Sequence, residues 1–197
     1  MTASAPETPP SDYRILVPRE WFHVDLTQDR WRGQLKTYVD REFAGSRTAS
    51  DVSRNVWVSL RNMVEKGLAR GALEFFLCTE VPGGAGLEPA SLLISWPPVR
   101  RGAAPTAEEF ASAFSERKGP GCDVDVIDMP AGRTVRIRTV TTIDYHVRIP
   151  GEAGFLHLAF SIPLSGTESP MGNLCDAMAH SLRWVPGTEA DLDMDGR

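Results

Sequence analysis

The sequence predicts an α+β fold, an α/β/α sandwich in which a mainly antiparallel sheet carries helices on both faces. Three observations predict it. Between Asp123 and Val185, four closely spaced alternating segments lead into one amphipathic helix. Leu73 to Thr79 (LEFFLCT) and Ser91 to Trp96 (SLLISW) are nearly continuous apolar runs of strand length, the pattern of strands covered on both sides. Two helical periodicities precede those runs and supply part of the cover.

Taken in order, Tyr13 to Val17 reads as a first extended segment halted by Pro18, and Trp21, Phe22 and Val24 as a second that ends near Leu26. Thr27 is the expected N-cap of a helix whose apolar positions Trp31, Leu35, Tyr38, Val39 and Phe43 recur at helical spacing up to Gly45. A second helix follows from about Ser50 to Arg70. Its stripe is Val52, Val56, Leu60, Met63, Val64 and Leu68, and Gly71 supplies the stop. The two apolar strands come next, joined by Pro82-Gly83-Gly84-Ala85-Gly86, a hairpin loop that lacks the Gly-Lys-Ser/Thr ending of a phosphate loop. Trp96-Pro97-Pro98 closes the second strand, because neither proline can donate to a ladder.

Thr106-Ala107-Glu108-Glu109 has capping-box spacing and opens a short helix with Phe110, Ala111 and Phe114 on its apolar face. The meander follows. Ser169 as N-cap and Pro170 at the first helical position then start a last helix carrying Met171, Leu174, Cys175, Met178, Leu182 and Val185. The methionines are read as packing residues. Residues 1–12, rich in Pro, Thr, Ser and Ala, are expected to form a disordered arm, and 186–197 a flexible acidic tail. Residues 13–185 make one domain.

A chain of 197 residues that is 42% hydrophobic is long enough for one sizeable core. The net charge of −5 provides no basic field for phosphate backbones, which excludes nucleic acid as the expected partner. No secretory leader and no apolar run of membrane-spanning length is found, so a cytoplasmic protein without membrane insertion is expected. Cys78, Cys122 and Cys175 are odd in number and widely spaced, which suits a reducing compartment. Cys78 and Cys175 fall in apolar patterns, whereas Cys122 lies in a loop as the most reachable thiol.

If residues 129–132 turn the chain, Val126 pairs with Val135, Val124 with Ile137, Asp125 with Arg136 and Asp123 with Arg138. Carried forward, the same rule places Val147 near Ile137 and near Leu156, Tyr145 near Leu158, and His146 directly across from His157. The polar face then gathers Arg136, Arg138, His146, Arg148 and His157 beside Asp123 and Asp125. It reads either as a solvated ladder of opposite charges or as a surface for an acidic partner or anion, with the histidines adding positive charge below about pH 6.5. Two histidines, even with Asp144 nearby, fall short of a zinc site, and no metal or cofactor is expected. His23 and His180 carry no assigned role. Glu74, on an apolar strand, is read as a rim carboxylate.

Gly-x-Ser-x-Gly, His-Glu-x-x-His, Walker A and strand-linked Gly-x-Gly-x-x-Gly sequences are all missing. No catalytic residue is therefore assigned. Val17-Pro18-Arg19-Glu20-Trp21, Phe155 to Pro163 (FLHLAFSIP) and Ser181-Leu182-Arg183-Trp184 resemble the PsbP-like proteins, a fold shared with Ran-binding Mog proteins and actinobacterial LpqN-type proteins. The resemblance covers residues 13–185 and implies a noncatalytic accessory role in binding or assembling other proteins. The chain departs from the LpqN-type pattern in lacking a leader and a lipid-attachment cysteine. A protein-interaction or assembly-accessory domain is thus expected. The alternatives are a small apolar-ligand binder, with Trp31, Trp57 and Phe76 lining a crevice under two helices, and an enzyme without a local motif.

Overall fold

A computed structural model describes residues 9–44, 49–80, 87–97, 105–118, 121–151 and 154–187. Within them the chain runs β1 Pro10–Arg14, β2 Phe22–Asp25, α1 Trp31–Glu42, α2 Ala49–Leu68, β3 Ala72–Glu80 and β4 Leu87–Ser95. It continues α3 Ala107–Lys118, β5 Asp123–Met129, β6 Gly132–Arg138, β7 Thr142–Arg148, β8 Phe155–Ser161, α4 Pro170–His180 and β9 Arg183–Pro186. The fold is α+β. Seven strands form an antiparallel sheet in the order β2-β3-β4-β8-β7-β6-β5, and β1 pairs separately with β9. Among the described residues no helix is long and apolar enough to cross a membrane.

Two local blocks meet at one long-range seam. The β2-β3-β4 block and the β5-to-β8 meander are joined by β4 against β8, where Leu92 faces Phe160 and Ile94 faces Leu158. All four side chains are at most 1% exposed. Consecutive residues of the central strands enter different cores: Phe76 and Leu92 pack under α4 with Met171, Cys175 and Met178, whereas Phe75 and Leu93 pack under α1 and α2 with Leu35 and Val64. That is why both runs are apolar without alternation. Each fully buried side chain of this size contributes roughly 1.5–3 kcal/mol. A third core sets Ala107 and Ala111 of α3 on Val135 and Ile137 of β6.

Three helix ends follow the sequence signals. Thr106 N–H donates to Glu109 Oε2 at 2.8 Å while Glu109 N–H donates to Thr106 Oγ1 at 3.1 Å, a complete capping box. Ser169 Oγ accepts from Gly172 N–H at 3.1 Å, with Pro170 in the first turn. Gly71 takes the left-handed conformation (φ 83°) beyond α2.

Four expectations are corrected. Residues 10–12 belong to β1 and Pro186 to β9, so the ordered region is wider than 13–185. Residues 1–8 and 188–197, and the 82–86 loop, lie outside the described residues. The last helix stops at His180 because the chain turns there to give Trp184 and Val185 to β1 rather than to a helical face. Thr27 does not cap α1: its hydroxyl donates to Asp25, and Arg30 occupies the cap position without a side-chain bond.

The fourth correction matters most. The β5–β6 pairs and the β7–β8 pairs match the expected register, but β6 meets β7 as Arg136 to Tyr145 and Ile137 to Asp144, with Val147 across from Thr134 instead of Ile137. The apolar rows of β6 and β7 thus lie on opposite faces. The physical cause is that α3 covers one face at β5–β6 while α4 covers the other at β7–β8, so adjacent strands bury opposite sides.

Gly71 tests the close approach of the α2–β3 turn to the end of β4. A Cβ there would lie 2.5 Å from the Trp96 carbonyl oxygen and be strained by the positive φ. Gly71→Ala is expected to lower stability by about 2 kcal/mol or more, read as a reduced urea midpoint at unchanged slope. An unchanged midpoint would contradict the packing described.

Candidate functional site

The five residues expected to share one surface occupy both sides of the sheet. Arg136 and Arg138 stand on the α4 face, and His146, Arg148 and His157 on the other. Each arginine is held by a carboxylate: Arg136 Nη2 donates to Asp125 at 2.8 Å, and Arg138 Nη2 to Asp176 of α4 at 3.1 Å. Tyr145, fully buried, donates its hydroxyl to the same Asp176. Burial, followed by the Asp176 bond, holds that phenol well above its usual range. Arg148 Nη1 donates to the Pro105 carbonyl at 3.2 Å. The arginines therefore serve the structure where they stand, and the single basic surface dissolves.

His146 and His157 are direct cross-strand neighbours, with rings stacked at 4.4 Å and 3° between planes. Phe110 of α3 leans on His146 at 4.7 Å, and His157 Nε2 lies 2.7 Å from Asp144 Oδ1. Burial, with the neighbouring His157, pushes His146 down to about 3 against the opposing pull of Asp144. The expected gain of positive charge below pH 6.5 thus does not come from His146. Ser95 stands in register with His157, so serine, histidine and aspartate gather in one patch. Ser95 is only 3% exposed, which closes its hydroxyl to a substrate carbonyl. Among the described residues no group of three or more His, Cys, Asp or Glu side chains is placed to hold a metal ion.

His23, Glu74, His180, Cys78 and Cys175 are tied into packing. His23 stacks on Phe76 at 4.5 Å and meets Glu74 at 3.1 Å, and Glu74 also accepts from Tyr13. His180 Nδ1 lies 2.8 Å from the Asp176 carbonyl. Cys78 and Cys175 are buried, and burial pushes the Cys175 thiol up to about 12. Cys122 is partly exposed.

Among the described residues, one feature with the capacity to take a ligand is a mostly apolar crevice of about 560 Å³ between α1, α2 and the sheet. Phe43, Val56, Leu60 and Met63 wall it, Leu77 and the cross-strand pair Ser91 and Ser161 floor it, and Glu42, Thr79 and Tyr38 form its polar end. Glu42 Oε2 accepts the Thr79 hydroxyl, and Oε1 accepts from Arg41 at 2.9–3.0 Å. Burial, then the adjacent Glu42, keeps the Tyr38 phenol protonated.

A crevice under two helices was expected, but its lining differs. Trp31 is 4% exposed within the core, Trp57 lies beneath the Arg61 guanidinium at 5.0 Å, and Phe76 faces α4. The signal available in the sequence was the α2 stripe itself. It carries more apolar side chains than α1 and the sheet cover, leaving Met63 39% exposed.

Compared with protein-family models, with curated proteins and with solved structures, the chain matches none. The functional reading therefore rests on the geometry.

His146 makes stability depend on pH. Unfolded, it takes up a proton as pH falls through 6.5, whereas folded it resists protonation down to about 3. The unfolded chain binds more protons across that window, so the fold loses stability as pH falls through it. His146→Gln is expected to remove about 2 kcal/mol of the loss between about pH 7 and about pH 5, measured by urea denaturation. Identical pH profiles for both proteins would refute this.

Proposed function

We propose that this chain is a binding domain without catalysis of its own, whose ligand is a small apolar molecule seated in the α1–α2 crevice. The observation that carries this is the crevice: its volume of about 560 Å³ falls inside the ~300–1,000 Å³ typical of small-molecule sites. Apolar walls with a few convergent polar groups at one end are the usual composition of such a site. The burial of Ser95 beside the His157 and Asp144 pair weighs against nucleophilic catalysis there.

Helices on both faces of an antiparallel sheet support reading the domain as an α/β/α sandwich of the PsbP-like type, with the accessory role that this likeness implies. Three cysteines outside any disulfide support a reducing, cytoplasmic setting. A protein partner is the second reading. It is favoured by Val140 and Leu164, 80% and 66% exposed, which flank the place where Thr167 N–H donates to the Val140 carbonyl.

A thermal-shift and dye-displacement screen of apolar metabolites tests the first reading. A true ligand at 100 times its dissociation constant is expected to stabilise by about 2.7 kcal/mol. Ser161→Leu, which fills the crevice from its floor, is expected to abolish that shift while keeping the fold. A shift that persists in Ser161→Leu would move the site elsewhere.

A further inference from the structure

We infer that the crevice selects a ligand whose apolar body ends in an ammonium group and discriminates against one ending in a carboxylate. The inference rests on the crevice being the binding site, and it follows from the protonation and hydrogen-bond state of the polar end.

Of the ionisable groups there, Tyr38 is held neutral by burial and by Glu42, leaving Glu42 as the charge that faces an incoming head group. The Glu42 side chain is 20% exposed, so water screens it less than a surface carboxylate. Its oxygens already accept three bonds, two from Arg41 at Oε1 and one from Thr79 at Oε2, which leaves about one of the roughly four acceptor positions of a carboxylate, on Oε2. That remaining capacity belongs to a residue of the crevice lining. Thr79 directs its hydroxyl hydrogen at Glu42, so its oxygen is left as an acceptor, with Tyr38 as a partner.

Arg41 does not reverse the sign. Its side chain is 57% exposed and its guanidinium lies 5.2 Å over Phe22 and 5.7 Å over Tyr38, outside the crevice lining. It orients Glu42 from the solvent side. A ligand carboxylate would meet Glu42 as a like charge, and the phenol donor at that end, Tyr38, is already bonded to Thr79. An ammonium would complete the acceptor set with a charge-assisted bond.

The test is calorimetric titration of the full chain with decylamine, decanol and decanoate, each below its micelle concentration and near neutral pH. Decylamine is expected to bind at least about tenfold more tightly than decanoate, with decanol between them. Glu42→Gln keeps the side-chain size and is expected to shrink the difference to about threefold or less, with decanol affinity unchanged as the control for folding. Decanoate binding as tightly as decylamine to the native chain would overturn the head-group inference and leave the crevice reading intact. Decylamine affinity unaltered by Ser161→Leu would trace its binding to the net charge of −5 and overturn the inference too. Failure of all three probes, decanol included, would remove the crevice reading with it.

Discussion

Burial of one antiparallel sheet by helices that press on different strands of its two faces is the constraint behind the rest of this structure. On one side α4 covers the centre of the sheet, packing Met171, Cys175 and Met178 over Leu92, Tyr145, Leu158 and Phe160. On the other, α1 with α2 covers β2 to β4 while α3 covers β5 and β6. Each strand must present apolar side chains wherever a helix lies, and nowhere else. The central strands do so on both faces. At the β6–β7 boundary the demand changes side, and the apolar row changes side with it.

Two features follow from the space between the α1–α2 pair and α3. Its middle is a polar strip, Ser95, His157, His146 and Asp144, in which the histidines stack and the carboxylate accepts from one of them. The α2 side of this strip is tight: a Cβ added at Gly67 would lie 2.9 Å from Leu93 Cδ2. Toward the other end of the same face, α1 and α2 leave the floor of β3, β4 and β8 uncovered, and that gap is the crevice. An incompletely filled apolar space is costly for stability alone. A ligand that fills it would offset that cost.

Much of this fold was legible in the sequence where a local rule operates. The Thr106 capping box, the Ser169 cap with Pro170, the left-handed Gly71 and the two-sided apolar strands each depend on a few neighbouring residues. The tight turn at 129–132 set the β5–β6 register, and the approach of His146 to His157 followed from the Val147 and Leu156 pairing. What escaped was decided at long range. Assuming one core face for the whole meander put Arg136 and Arg138 beside the histidines, whereas α4 supplies Asp176 to hold Arg138 on the opposite side. The Arg183–Pro186 strand depends on β1, whose partner residues are distant in sequence. The crevice lining was missed because periodicity tells which α2 residues are apolar, not which of them the sheet leaves uncovered.

The change of face between β6 and β7 is open to direct observation in solution. Cross-strand nuclear Overhauser contacts between backbone protons should join Arg136 to Tyr145 and Ile137 to Asp144, with Phe110 or Ala111 side-chain contacts to Val135 and Ile137. Contacts joining Ile137 to Val147 instead would put both apolar rows on one face. That result would contradict the layered packing, and with it the separation of the arginines from the histidines.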